Sequence, residues 1–479
     1  ILRLRNDRAA AQVGLETLSD AEWIAHFSRF EPLPGQPGPV AMRYHGHQFR
    51  VYNPDIGDGR GFLAAQMREV PQGDKDVSLP QAATLREGSG AQAASAHVAS
   101  DSALPSRLLD LGTKGSGQTP WSRHADGRLT LKGGAREALA AAMLDSLGVP
   151  TCRILSLIET GEDLERHDEP SPTRSAVMVR LSHSHIRFGT FQRAAYYGRK
   201  DQIETLMEHA RSLYHPAVAP GDAAGFLAAV VEASAALTAK WIAAGFVHGV
   251  LNTDNLNVTG ESFDYGPWRF LPHYEPGFTA AYFDQTGLYC FGRQPGAIAW
   301  NLERFAECLT LVAPVAELET ALKTYAPAFH AGLRRAVCAR LGVTEVGEDA
   351  DDELAAAFFQ FLLKSQAAFE RTVFDWHGGA PRRAFAMAGP QAALYTGEAF
   401  ERLFGALSAH PPRERAPEAA AYFDGEGPAT LLIEEVEGLW APIAERDDWS
   451  LFEAKLDQIE RARKAFAIRP ERGPDGAEA

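Results

Sequence analysis

Cysteine is scarce in this sequence, four residues in 479. Cys152, Cys290, Cys308 and Cys338 form no CxxC pair and show no metal-ligand spacing, which argues against a disulfide scaffold and predicts reduced thiols inside a cell. Positive charge is also in deficit: 47 Lys and Arg stand against 62 Asp and Glu, for a net charge of −15. So acidic a chain repels a phosphate backbone, so nucleic acid is not an expected partner, and an anionic ligand needs basic residues gathered in one place. Long apolar runs are missing too. The longest, residues 226–247, is interrupted by Glu232 and Lys240 and has helical periodicity, so it predicts a buried core helix and no membrane partner. Residues 1–5 (ILRLR) contain neither an initiator Met nor an apolar signal core, and the chain is expected to begin inside its gene product. No internal repeat is visible.

What is present is ordinary globular composition: 45% hydrophobic residues, 43 glycines and 29 prolines. At roughly 150 residues per domain the length predicts two or three folding units with a core large enough to need no disulfide. Residues 1–70 mix a short acidic helix signal at 19–23 with strand-like aromatic stretches such as 48–52. Residues 71–106 turn to Ala, Ser, Gly and Gln and predict a mobile surface insertion. A strand at 108–111, a glycine-rich stretch to Gly134 and an amphipathic helix at 136–147 follow. Two further strands, 154–158 and 176–181, flank a polar loop at 161–175. Beyond Asp201 apolar residues recur three and four apart over 221–244, 297–312, 314–325 and 328–341, which predicts a helical part. The acidic run 348–353 suits the positive end of a helix over 354–374. Helices at 398–407 and 451–466 precede a Pro/Gly/Glu tail expected to be disordered.

The chemistry concentrates around His248-Gly249-Val250-Leu251-Asn252-Thr253-Asp254-Asn255, followed by Asp264-Tyr265-Gly266. This has the outline of a kinase catalytic loop and its metal-binding DFG, in which one Asp accepts a hydroxyl proton while Asn and the second Asp hold metal against phosphates. Val250 stands where the usual base would be, and valine can neither accept a proton nor bind metal. Asp254 can supply the base from a different angle, although an NTDN stretch also suits a plain Asx turn. Upstream, Lys114 and Glu137 follow the order of the kinase strand Lys and helix Glu, an order that ordinary surface ion pairs also produce. Gly57-Asp58-Gly59-Arg60, Gly115-Ser116-Gly117 and Asp126-Gly127-Arg128 offer backbone N–H groups and guanidinium forks to phosphate, or simply hairpin turns. Arg180 and Arg187 bracket His183 and His185, and two fixed guanidiniums suit a polyphosphate. A metal site at those histidines, or at His45 and His47, lacks a third ligand.

Together these motifs resemble the SelO family (selenoprotein O, bacterial YdiU). The resemblance is carried by YHGHQF and GDGR within 44–60, KGSGQTPWSR and DGR within 114–128, and Arg136-Glu137. It continues through SHSHIRFGTF at 182–191, GFVHGVLNTDN at 245–255, DYGP at 264–267 and RQPGAIAWNL at 293–302. It implies an α+β, protein-kinase-like two-lobed fold: an N-lobe over 1–175, a mainly helical C-lobe over 176–345 and an extra helical region over 346–479. The implied activity is protein adenylylation, AMP passing from ATP bound in flipped orientation to Ser, Thr or Tyr hydroxyls of proteins, the chain itself among them, with pyrophosphate released. By the same resemblance Asp254 is the proton acceptor, and Asn255 and Asp264 hold Mg²⁺ or Mn²⁺. Lys114, Arg180 and Arg187 bind phosphates, Glu137 orients Lys114, and Gly57, Gly59, Arg60, Asp126 and Gly127 contact nucleotide. Kinase-type γ-phosphoryl transfer, uridylylation with UTP and a non-catalytic nucleotide-binding scaffold are the alternatives. A cytoplasmic location is expected, or a mitochondrial one in a eukaryote. Many members carry a selenocysteine or cysteine near the C-terminus, whereas the last cysteine here is Cys338, and the stretch after about residue 345 matches no usual family pattern.

Overall fold

The structure, a computed structural model, describes residues 1–70, 107–167 and 169–468. The surface insertion expected over 71–106 and all but the first two residues of the tail expected after Phe466 lie outside the described residues. The fold is mixed α/β, with an antiparallel sheet and many helices.

The sheet is organised around the strand Thr173–Ser182, whose Val, Met and Leu residues are buried on both faces, as an inner strand requires. On one side it pairs with Arg153–Leu164, which is edged by Leu2–Arg5. On the other it pairs with Leu108–Lys114, edged by Leu63–Arg68, and the short strand Leu129–Thr130 joins near its start. Every pairing is antiparallel. Side chains alternate across the pleat. Leu111, Leu155, Val179 and Leu181 pack against Trp23, Phe27 and the short N-terminal helices, while Leu157 and Met178 pack under the helix Leu131–Ser146. Register pairs Gly112 with Arg180 and Lys114 with Met178, so Lys114 and Arg180 share the face that meets this helix.

Several elements differ from the sequence reading. The helix begins at Leu131, five residues before the expected Arg136, with the Thr130 hydroxyl accepting from the Gly133 N–H. The glycines that read as loop are a packing feature: a Cβ on Gly134 would lie 2.4 Å from Leu157 Cδ1, so glycine lets the helix settle onto the sheet. Glu137 therefore sits in the second turn. Residues 161–175 are largely the tip of a long hairpin, since the two strands run on to Leu164 and begin again at Thr173. Residues 48–52 are not one strand. Gly46–Gln48 and Val51–Asn53 form a hairpin whose two turn residues, Phe49 and Arg50, both have positive φ. The apolar segment 354–374 divides into Glu348–Ser365 and Phe369–Trp376 at Gln366, whose left-handed backbone ends the first helix.

The helix Ala223–Ala243 is long and apolar enough to cross a membrane, but 72% of its most apolar stretch is buried. It packs against Gln294–Leu309, Val315–Leu322 and Tyr325–Arg340. One hydrophobic cluster runs from Leu129 and Met178 through these helices to Phe452 and Phe466. Between Ala243 and Phe291 regular structure is confined to the paired two-residue strands Phe246–Val247 and Arg269–Phe270 and a helical turn at Thr253–Asn255. Irregular backbone that is buried must find hydrogen bonds elsewhere, and the polar side chains described next supply them.

Candidate active site

Lys114 ends its strand beneath the Leu131–Ser146 helix, and its ammonium donates to Glu137 Oε2 and Asp264 Oδ1, both at 2.6 Å. Lys114 and Glu137 are almost wholly buried, at 4% and 1% exposure. Arg180 Nη1 lies 3.6 Å from both Glu137 Oε1 and Asp264 Oδ1, and it and Nε have no hydrogen-bond partner. Asp264 Oδ2 accepts from Asn255 Nδ2 at 3.0 Å. Burial alone would raise the Asp264 pKa; the cations Lys114, Arg180, Arg187 and Arg60 outweigh it and hold the carboxyl well below its ordinary range. Asp264 is an ionised carboxylate at neutral pH, carried on a left-handed backbone with φ +65°.

Asp254 behaves oppositely. Burial pushes its pKa up to about 6, against the downward pull of Arg187 and with a further push from Asp264. Its Oδ1 is buried without a hydrogen-bond partner. Arg187 Nη1 donates to the Asp254 backbone carbonyl at 2.9 Å, and the guanidinium is sandwiched between Tyr44 and Phe263, 4.4 and 5.0 Å from the ring centroids. The 46–53 hairpin passes so close that a Cβ on Gly46 would lie 2.8 Å from Asp254 Oδ1.

The structure thus brings together Lys114, Glu137, Arg180, Arg187, Asp254, Asn255 and Asp264. Gly57 and Gly59 lie one layer out, where a Cβ on Gly57 would come within 2.6 Å of the Trp121 ring. Their loop is tied to the 119–122 turn by Thr119 and Ser122 hydroxyls donating to the Asp58 and Gly59 carbonyls. Arg60 is exposed, yet close enough for its charge to act on Asp264. Asp126 and Gly127 stand apart from the cluster: Asp126 pairs with Arg166 at 2.7 Å, and the Gly127 carbonyl accepts from the Gly117 N–H. The paired histidines face different partners, and both ring nitrogens of His185 are buried without a hydrogen-bond partner. His183 bonds Glu261, the His185 backbone N–H donates to Asp110, His45 meets Tyr52 and His47 meets Gln192.

Several residues of the 248–255 stretch have structural roles that the sequence does not assign. Asn252 Oδ1 accepts from the Phe49 N–H and the Tyr289 hydroxyl. Thr253 Oγ1 accepts from the His47 N–H and donates to Gln192 Oε1. His248 is fully buried, bonded through Nε2 to the Phe263 carbonyl, and spans the loop from its start to the residue before Asp264. These partners lie up to 206 positions apart, and no local spacing announces them.

The donor set fits a hard divalent cation, because Asn255 Oδ1 is a buried oxygen without a partner beside the ionised Asp264 carboxylate. The unpartnered N–H groups of Arg180 and of Arg187 Nε need an acceptor, and phosphate oxygens supply one. Comparison with known proteins agrees with this chemistry. A profile of the family described as protein adenylyltransferase SelO matches residues 1–91 and 81–460. The chain is 40% identical over 483 residues to the protein nucleotidyltransferase YdiU of Gloeobacter violaceus, an alignment covering 98% of this chain and 90% of that one. The corresponding protein of a Synechocystis species is 38% identical over 96% of this chain and 92% of its own length. That of Vibrio cholerae is 35% identical over 76% and 67%. The chain therefore belongs to the SelO family of protein adenylyltransferases and is a nucleotidyltransferase.

Proposed function

We propose that the protein transfers AMP from ATP to Ser, Thr or Tyr hydroxyls of proteins, with ATP flipped relative to a kinase so that its α-phosphate faces Asp254. The carrying observation is the contrast between Val250 at the usual base position and Asp254, a buried carboxyl with a pKa near 6 and an unpartnered oxygen. The N-lobe of a kinase-like body, expected over 1–175, extends to Ser182 because the sheet's central strand Thr173–Ser182 crosses that boundary; the residues from there to 345 act as its C-lobe, and the helices after 345 as an added region.

In this reading Lys114, Arg180 and Arg187 bind the phosphates, and Glu137 holds Lys114 in place. Gly57, Gly59, Arg60, Asp126 and Gly127 contact the nucleotide, the last two from outside the charged cluster. Asn255 and Asp264 hold Mg²⁺ or Mn²⁺, which when bound neutralises phosphate charge and makes the α-phosphorus more electrophilic. Asp254 Oδ1 takes the hydroxyl proton, the hydroxyl oxygen bonds the α-phosphorus, and the bond to the β-phosphate breaks as pyrophosphate leaves. Positioning and charge neutralisation carry most of the rate, as in phosphoryl transfer generally.

Incubation with ATP labelled separately at the α and γ phosphates, with the chain itself and a protein mixture as acceptors, tests the reading. Label retained from the α position with release of pyrophosphate is expected. Retention only from the γ position would make the enzyme a kinase, a preference for UTP a uridylyltransferase, and no transfer despite ATP binding a scaffold.

A further inference from the structure

The cysteines form no CxxC pair and show no metal-ligand spacing in sequence, yet folding brings two candidate ligands to Cys338. Cys338 lies in the last turns of the helix Tyr325–Arg340, Asp351 in the first turn of Glu348–Ser365, and His410 is the residue that ends Glu398–Ala409. The Cys338 sulfur, an Asp351 carboxylate oxygen and a His410 ring nitrogen lie within 4.8 Å of one another. All three residues are buried, at 0%, 4% and 2% exposure. Among the described residues no other three such groups come as close. We propose that Cys338, Asp351 and His410 bind a zinc ion that fastens the C-terminal helices to the rest of the chain.

The hydrogen bonds around the trio favour a cation at its centre. His410 Nδ1 meets the Ala406 carbonyl at 2.8 Å, and a carbonyl only accepts, so that nitrogen donates and Nε2 is the one turned toward the other two residues. Nε2 in turn faces Asp351 Oδ1 at 2.9 Å. Two lone pairs do not attract, so a proton or a metal ion stands between them. The Cys338 sulfur on the third side is a donor that a proton shared by the other two leaves unused and that a zinc ion would take. A carbonyl on the far nitrogen is also the usual outer partner of a zinc-bound histidine. Asp351 is oriented in the same way, its oxygens accepting from the N–H groups of Val346 at 3.0 Å and Gly347 at 3.4 Å.

Ligand type selects the ion. Thiolate, imidazole and carboxylate together suit Zn²⁺ and not the oxygen-seeking Mg²⁺ or Ca²⁺. Zinc bond lengths place tetrahedral ligand atoms about 3.3–3.6 Å apart, so His410 Nε2 and Asp351 Oδ1, at 2.9 Å, need to part slightly while the Cys338 sulfur, within 4.8 Å of both residues' ligand atoms, draws in. The second Asp351 oxygen, held only by the long bond from Gly347, or a water fills the fourth position. The ion would sit where the loop after Leu341 meets the loop after Ala409. Thr344 N–H already donates to the Pro411 carbonyl there, and Arg413 N–H to that of Gly342.

The test is metal analysis of the full chain produced with zinc in the medium. One equivalent of zinc is expected by mass spectrometry, and Asp264→Asn, which alters the candidate active site, should retain it. Cys338→Ser and His410→Gln should weaken zinc binding by about 10- to 100-fold or more. Cobalt added to metal-free chain should give a near-ultraviolet thiolate-to-cobalt band that Cys338→Ser abolishes, with circular dichroism confirming that the variant is folded. Removing zinc from the parent chain should lower its melting temperature and restoring zinc should raise it, a readout that needs no variant. A parent chain that binds no zinc, or a cobalt band that survives in folded Cys338→Ser, overturns the site and leaves a proton shared by His410 and Asp351.

Discussion

Asp254 shows what burial without a partner does to a carboxyl, and the consequences run through both stability and rate. Its folded pKa of about 6 lies above the ordinary 3.8. The folded chain therefore keeps a proton that the unfolded chain has already lost, and stability falls as pH rises through that window, by about 2–3 kcal/mol. Asp254→Asn should match the parent in urea titrations at about pH 4 and exceed it by that amount at about pH 8, while losing transfer by about 10²- to 10⁴-fold. In the parent, kcat/KM should rise with pH through about 6 and then level, because the base works only when ionised; a flat profile with an unchanged Asp254→Asn rate would remove the assignment. Lys114→Met should act the other way. It strands the Glu137 and Asp264 carboxylates together, costing about 3–5 kcal/mol in denaturant midpoint as well as nucleotide affinity. Residues such as Asp254, Asn255 and Asp264 were legible because they sit on one loop at a recognisable spacing. Asn252, Thr253 and Tyr44 were not, because their roles depend on partners that only folding brings near.

Elements position these residues through close backbone approaches, and glycine marks where. The helix Phe188–Tyr196 begins directly against the 44–46 segment: the His45 N–H donates to the Gly189 carbonyl, and a Cβ on Gly189 would lie 2.1 Å from the His45 carbonyl oxygen. Backbone cannot swing aside as a side chain can. Gly189→Ala should therefore push the hairpin carrying Gly46 away from Asp254, lowering kcat several-fold at a stability cost of about 1–3 kcal/mol. A variant with parental turnover would show that the hairpin does not help to shape the base. The same physics explains which elements the sequence hid. Apolar periodicity found Ala223–Ala243 and Tyr325–Arg340 to within a few residues. It missed the first turn of Leu131–Ser146, because Gly133 and Gly134 carry no side chain to show periodicity, and it missed the 49–50 turn because Phe and Arg are poor predictors of positive φ.

At the scale of the molecule, helix faces carry exposed acids such as Glu317, Glu319, Asp349 and Glu418, whereas Lys114, Arg180 and Arg187 of the site are buried. Cohesion comes from the continuous apolar cluster, and the last helix, Ser450–Phe466, shows how far it reaches. That helix packs against Leu131–Ser146, the element that carries Glu137. Its final residue, Phe466, meets Phe423 at 5.1 Å and His377 at 5.5 Å between ring centroids, with the Arg340 guanidinium 4.4 Å above it. Phe466→Ala empties a site walled by three separate helical segments and should cost about 3–5 kcal/mol. If the C-terminal region were an independent unit, that loss would split unfolding into two steps and spare the transfer reaction. The shared core predicts one step instead: tryptophan fluorescence, far-ultraviolet circular dichroism and transfer activity should fall together along a single urea transition moved to lower concentration. Loss of the fluorescence transition ahead of activity would show that residues beyond about 346 fold apart from the catalytic body.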